Sequence, residues 1–163
     1  MSDRRKCGIL VTVIEMKLLI DADACPVIHE AETLAAAFHI KCVLFCDSAH
    51  DFTNHPSEIV TTAQGADSAD FALVNRTAHG DIVITQDRGL AAMALAKGAR
   101  VLDQNGLEIT GQNIAFLLET RSISKKLRRS GQHLKGPKKR TRQNDLDFTE
   151  ALEKMLYENT HSA

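Results

Sequence analysis

Five aspartates hold most of the chemistry legible in this chain. Asp21 closes the apolar run KLLID, and Asp23 follows two residues later. Asp87 stands two residues past a second apolar run, DIVIT, while Asp67 and Asp70 open a helix-forming stretch between the two. Residues three apart lie on one helical face, so Asp67 and Asp70 point the same way. In an open α/β sheet, ligands collect beyond the carboxyl ends of the strands, where the strand order reverses. If KLLID neighbours DIVIT, as in the order 3-2-1-4-5, these acids converge. Two carboxylates ~4 Å apart repel by about 4 kcal/mol at an effective dielectric of ~20. Such a cluster takes up protons or binds a cation, and hard oxygen ligands suit Mg²⁺ or Mn²⁺. A metal held this way makes water nucleophilic and stabilises the leaving oxygen of a phosphodiester. That route needs no Ser, Cys or His nucleophile, and none stands out here.

Each acid also has a plainer reading. Asp67 and Asp70 suit the start of a helix, where a carboxylate complements the dipole. Asp87 can cap the helix that follows, and Asp81 precedes its strand, which puts it at the opposite sheet edge and outside the set. Read together, Asp21, Asp23, Asp67, Asp70 and Asp87 form a predicted metal site, with Asp21, Asp23 and Asp87 nearest the chemistry. Cys25 has two readings as well. It is either a thiol near the metal, made acidic by a helix amino end, or a small residue at a helix entrance beside Pro26.

The elements that must position these residues follow from periodicity and punctuation. Strands are predicted at 17–21, 40–45, 58–62, 81–85 and 100–102, the last closing the set. Helices are predicted from Pro26, at the first turn, to Phe38, from Asp67 to Thr77 and from Gly89 to Lys97. Ala66, Phe71 and Val74 are among the apolar positions of the second. Thr110 to Arg129 reads as one helix or two, and Asp145 to Glu158 as a final amphipathic helix. Strands alternating with helices predict βαβ units, a mainly parallel sheet and a three-layer, doubly wound α/β fold.

A chain of 163 residues suits one domain, and its low aromatic content leaves small aliphatic residues to fill the core. Residues 1–15 read as an upstream extension, 16–158 as the domain and 159–163 as a tail. Arg4, Arg5 and Lys6 before a short apolar run mimic a signal peptide, but Glu15 interrupts the run and no cleavage site follows. Nothing approaches a membrane span, so a soluble, cytoplasmic protein is expected. Cys7, Cys25, Cys42 and Cys46 lack metal-site spacing and read as reduced thiols, with Cys42 and Cys46 on one face of a strand. Between 120 and 144 the chain carries ten cations and no acid, leaving ten cations against 21 acids elsewhere. Lys125, Lys126, Arg128 and Arg129, then Lys135, Lys138, Lys139 and Arg140 after a break, form a candidate phosphate-binding strip. The same residues also read as a solvated helix end and linker. Few aromatics are present for base stacking, so sequence-specific single-strand recognition is not expected.

The strings LLIDADACPV, GADSADFAL, DIVITQDRGLA and GPKKRT resemble the uncharacterised bacterial YaiI/YqxD family, over Met16 to about Tyr157. That family looks like a branch of the PIN-like nuclease fold. The resemblance implies Mg²⁺ or Mn²⁺ held by an acid after the first strand, one on a middle helix and one after the fourth strand. At matching positions these are Asp21 with Asp23, Asp67 or Asp70, and Asp87, although PIN helices often supply Glu where this chain has Asp. Many PIN-like domains associate, so an oligomer is compatible with it. The leading expectation is a metal-dependent nuclease acting on nucleic acid, RNA ahead of DNA. A non-catalytic RNA-binding or adaptor protein on the same scaffold is one alternative. A phosphatase of the haloacid-dehalogenase type, with Asp21 as nucleophile and Asp23 as general acid, is another.

Overall fold

The computed structural model describes residues 15–47, 52, 54–63, 68–132, 134–136 and 138–161. Residues 1–14 of the extension, with Cys7, lie outside them, and so do Ala66 and Asp67.

Six strands form one sheet: β1 (Lys17–Asp21), β2 (Lys41–Asp47), β3 (Glu58–Thr62), β4 (Ile82–Ile84), β5 (Arg100–Leu102) and β6 (Glu108–Ile109). Their order is β3-β2-β1-β4-β5-β6, parallel throughout except for the antiparallel pair β5–β6. The helices are α1 (Ile28–Ala37), α2 (Ser68–Arg76), α3 (Arg88–Ala96), α4 (Ile114–Arg129) and α5 (Arg142–His161). The predicted doubly wound α/β class is therefore observed, with β1 beside β4 where the strand order reverses.

Side chains of the central strands alternate between two cores, as a sheet covered on both faces requires. Leu18, Ile20, Cys42, Leu44, Cys46, Ile82 and Ile84 face α1 and α5. Leu19, Val43, Phe45, Val83 and Val101 face the layer of α2, α3 and α4. Helical spacing supplies the covering: Ile28, Ala31, Glu32 and Ala35 on α1, and Phe148, Leu152, Met155 and Leu156 on α5. Cys42 and Cys46 are free and buried, as their strand spacing implied.

Several boundaries differ from those read in the sequence. Pro26 sits in a turn ahead of α1, which starts only at Ile28 after Val27. Strand β2 runs on to Asp47, carrying that acid to the sheet edge rather than into a loop. Phe71, expected on the apolar face of α2, is exposed, and Leu73 is the buried residue there. Residues 114–129 form a single helix, and α5 starts three residues early. The two-residue strand β6 was too short for an alternating pattern to register.

Candidate functional site

Register places the site. Ile20 pairs with Ile84 across β1 and β4, so the next residues, Asp21 and Thr85, leave the sheet side by side. Thr85 is buried, and its hydroxyl donates to Asp21 Oδ2 at 2.8 Å. The same hydroxyl oxygen accepts the Asp87 N–H at 3.0 Å. A buried Thr thus fixes one acid and the backbone of a second. Nothing in its residue type distinguishes Thr85 from an ordinary strand residue, so sequence reading passed it over.

The chain then turns sharply. Cys25 N–H donates to the Ala22 carbonyl at 3.2 Å, and Ala24 adopts φ 58°. A left-handed alanine costs about 1–2 kcal/mol, strain of the kind that collects at functional turns. The turn holds Asp23 toward β2, where its Oδ2 accepts the Asp47 N–H at 3.2 Å. Asp47 is a further acidic residue at this edge, one that sequence reading left in a loop. Cys25 does not behave as an acidic thiol: burial pushes it up to about 11, against a hydrogen bond to Val27, and the Asp21 charge adds to the rise.

Burial pushes the Asp21 carboxyl up to about 6. The Thr85 hydrogen bond opposes that shift, while the charges of Asp70, Asp23 and Asp87 reinforce it. Four of the five predicted acids therefore share one electrostatic neighbourhood, and Asp67 falls outside the described residues. Asp87 also does the plainer work expected of it, capping α3 by accepting from Gly89 N–H at 2.7 Å and Leu90 N–H at 3.0 Å. Asp81, left out on the strength of its position, is fully buried at the opposite edge, where Lys17 and the Ala78 N–H hold it.

A cleft of about 20 Å³ opens between Asp21, Asp23, Thr85, Gln86 and Gln104, room for about one water-sized occupant. Gln104 enters from the turn joining β5 to β6, and its buried Oε1 has no hydrogen-bond partner. That turn is tightly built. Asp103 Oδ1 accepts from Asn105 and Leu107 N–H groups, and Gly106 has φ 86°. A Cβ at Gly106 would lie 2.6 Å from the Asp147 carbonyl oxygen, so the turn packs directly on α5.

Among the described residues, no group of three or more His, Cys, Asp or Glu side chains closes around a common point. An ion that keeps several waters and shares its shell with substrate phosphates needs no closed cage, and this open, oxygen-rich edge fits Mg²⁺ or Mn²⁺ of that kind. The one sulfur lining the cleft, that of Cys25, is held neutral by burial.

The predicted basic strip divides into unlike parts. Lys125, Lys126, Arg128 and Arg129 lie on α4, all exposed. Lys135, Lys138 and Lys139 are exposed outside any helix or strand. Arg140 is instead committed within the fold: its guanidinium donates to Asp145 Oδ1 at 2.8 Å, Asn105 Oδ1 at 3.0 Å and the Gln104 carbonyl at 2.8 Å. It clasps the Gln104 turn to the start of α5, a role hidden in a run of like charges. Among the described residues, no helix is long and apolar enough to cross a membrane.

Comparison with known proteins agrees with this geometry in extent. The family model described as "Uncharacterized BCR, YaiI/YqxD family" matches residues 19–158. A UPF0178 protein of Exiguobacterium sibiricum is 48% identical over 145 residues, covering 89% of this chain and 99% of the relative. UPF0178 proteins of Clostridium acetobutylicum and Lachnoclostridium phytofermentans are 44% and 43% identical, each over 86% of this chain and 97% of the relative. No solved structure matches the chain. The acids at the carboxyl edge, the Thr85 link between them and the turn that brings in Gln104 all fall inside the matched span, and the chain belongs to the YaiI/YqxD family.

Proposed function

We propose that the carboxyl edge of this sheet holds Mg²⁺ or Mn²⁺ and that the protein hydrolyses phosphodiester bonds of nucleic acid, RNA ahead of DNA. The observation that carries this reading is the gathering of Asp23, Asp70 and Asp87 around Asp21, a carboxyl whose burial and neighbours push it up to about 6. A fold keeps such a cluster at modest cost only when a cation or proton offsets the repulsion. Asp21 and Asp23 are the residues that would hold the ion, with the charges of Asp70 and Asp87 adding to its attraction.

When bound there, the metal supplies activation of a water and stabilisation of the leaving oxygen. The chain's own residues do the positioning. Thr85 keeps the Asp21 carboxylate at the edge and ties the start of α3 to it. Asp23 is held over the end of β2 by the Asp47 N–H. Gln104 offers a buried carbonyl oxygen to a water or substrate donor in the cleft.

The phosphatase alternative has less in its favour. Its nucleophile would be Asp21, and the acid of the Gly80-Asp81 pair that such an enzyme needs nearby sits at the far edge of the sheet, bonded to Lys17. Trapping of a phospho-aspartate would reverse that ranking. The reading is tested with labelled single-stranded RNA and DNA incubated with Mn²⁺, using the natural chain and Asp21→Asn. Cleavage by the natural chain, lost in the variant and on chelation, is the expected result. Metal-independent binding without turnover would instead favour an RNA-binding or adaptor role.

A further inference from the structure

We infer that the phosphate backbone of a single nucleic-acid strand runs in the groove between the start of α3 and one face of α4, leading to the acidic edge. This deepens the nuclease reading and rests on it for the direction of the strand, but the groove has its own evidence. It spans about 590 Å³ and is lined by Arg88, Thr120, Arg121, Ser124, Lys125 and Arg128. Arg121, Lys125 and Arg128 follow a spacing of four and three, which stacks them along one helical face. Arg88 approaches from the opposite wall, on the first residue of α3. Lys126 and Arg129 are not among the residues that line the groove, so only part of the charge on α4 is directed into it.

Three features point to phosphate. Arg88 makes one long contact, Nη2 to Asp103 Oδ2 at 3.6 Å, while its buried Nη1 has no hydrogen-bond partner. An arginine held by one long ion pair, with a donor unused, keeps bonding capacity for an anionic oxygen. Among the described residues, Lys125 and Arg128 have no ion-pair partner, and Thr120 and Ser124 add hydroxyl donors to the same wall. Arg121 Nη1 stands 3.7 Å from Asp87 Oδ2, which joins the groove's mouth to the acid cluster. From Arg121 to Arg128 the helix rises about 10 Å, roughly three nucleotides of a stacked strand.

The test is the salt dependence of binding for an oligouridylate and an oligodeoxythymidylate of equal length, measured by fluorescence anisotropy in EDTA. Four groove cations give an expected slope of log K on log salt of about −3 for single strands. Lys125→Ala and Arg128→Ala should each make it shallower by about 0.7, and Arg88→Gln should do the same with its folding checked by thermal melting. Lys126→Ala and Arg129→Ala should leave it close to the natural value, on RNA and DNA alike. Equal losses from all four alanine variants, no change in any, or no binding at low salt would overturn the groove. Because binding is read in EDTA, a chain that binds in this way yet does not cleave when Mn²⁺ is supplied would sink the nuclease reading alone.

Discussion

The Thr85 hydroxyl donates to Asp21 Oδ2 at 2.8 Å and so couples the first strand's terminal acid to the strand beside it. Since the same oxygen accepts the Asp87 N–H, one buried residue sets the spacing of the two acids that flank the switch in strand order. Removing it leaves a backbone donor without that acceptor. Thr85→Val should destabilise the fold by about 1–3 kcal/mol in chemical denaturation. It should also push the Asp21 carboxyl further up, because the Thr85 bond holds it down. Mn²⁺ affinity at pH 6–7 should fall accordingly.

The pH dependence of stability has a definite sign. Asp21 is raised from 3.8 to about 6 in the folded chain, chiefly by burial. A group raised in this way favours the fold fully below its unfolded value, and that contribution is lost as pH rises through the folded value. Without metal, the chain should therefore lose on the order of 3 kcal/mol from this residue between about pH 4 and pH 6. Asp21→Asn should flatten that part of the profile and make the metal-free protein more stable at pH 7. Urea unfolding at pH 4.5 and 7.5, for both chains in EDTA, measures the difference.

Asp87 serves as a helix cap and as a charge, and two substitutions separate the roles. Asp87→Ala removes the acceptor for Gly89 and Leu90 and should cost about 0.5–2 kcal/mol. Asp87→Asn keeps a capping oxygen but loses the charge. It should melt close to the natural protein while its Mn²⁺ affinity, read by calorimetry, is reduced.

Arg140 should act on the fold and not on phosphate. Arg140→Lys gives up the fork that spans Asp145, Asn105 and the Gln104 carbonyl, and should lower stability by about 1–3 kcal/mol. Its salt slope for oligonucleotide binding should match that of the natural chain. A shallower slope with unchanged melting would return Arg140 to the phosphate-binding set.

What was legible in the sequence is what periodicity and strand ends encode. KLLID and DIVIT are short apolar runs, and a parallel sheet buried on both faces produces such runs directly. The acids at and just past their ends, Asp21 and Asp87, could then be placed once the strand order was assumed, and Asp81 excluded by its place before its strand. Thr85 and Gln104 were not legible, because their roles come from register across β1 and β4 and from the packing of a turn on α5. The part Arg140 plays in the fold was hidden for a related reason. A run of basic residues gives no sign of which member folds back to meet a carbonyl and two side chains. Asp47 was missed because two extra strand residues moved it from loop to edge.

The central claim is that the Asp21 cluster binds a divalent ion, and Mn²⁺ titration followed by thermal unfolding tests it most directly. At a hundred times the dissociation constant, binding adds about 2.7 kcal/mol, or roughly 5–10 °C for a chain of this length. The metal reading predicts that rise for the natural chain at pH 7.5, a smaller one at pH 5 and none for Asp21→Asn. Equal shifts in both chains, or no shift in the natural one, would contradict it.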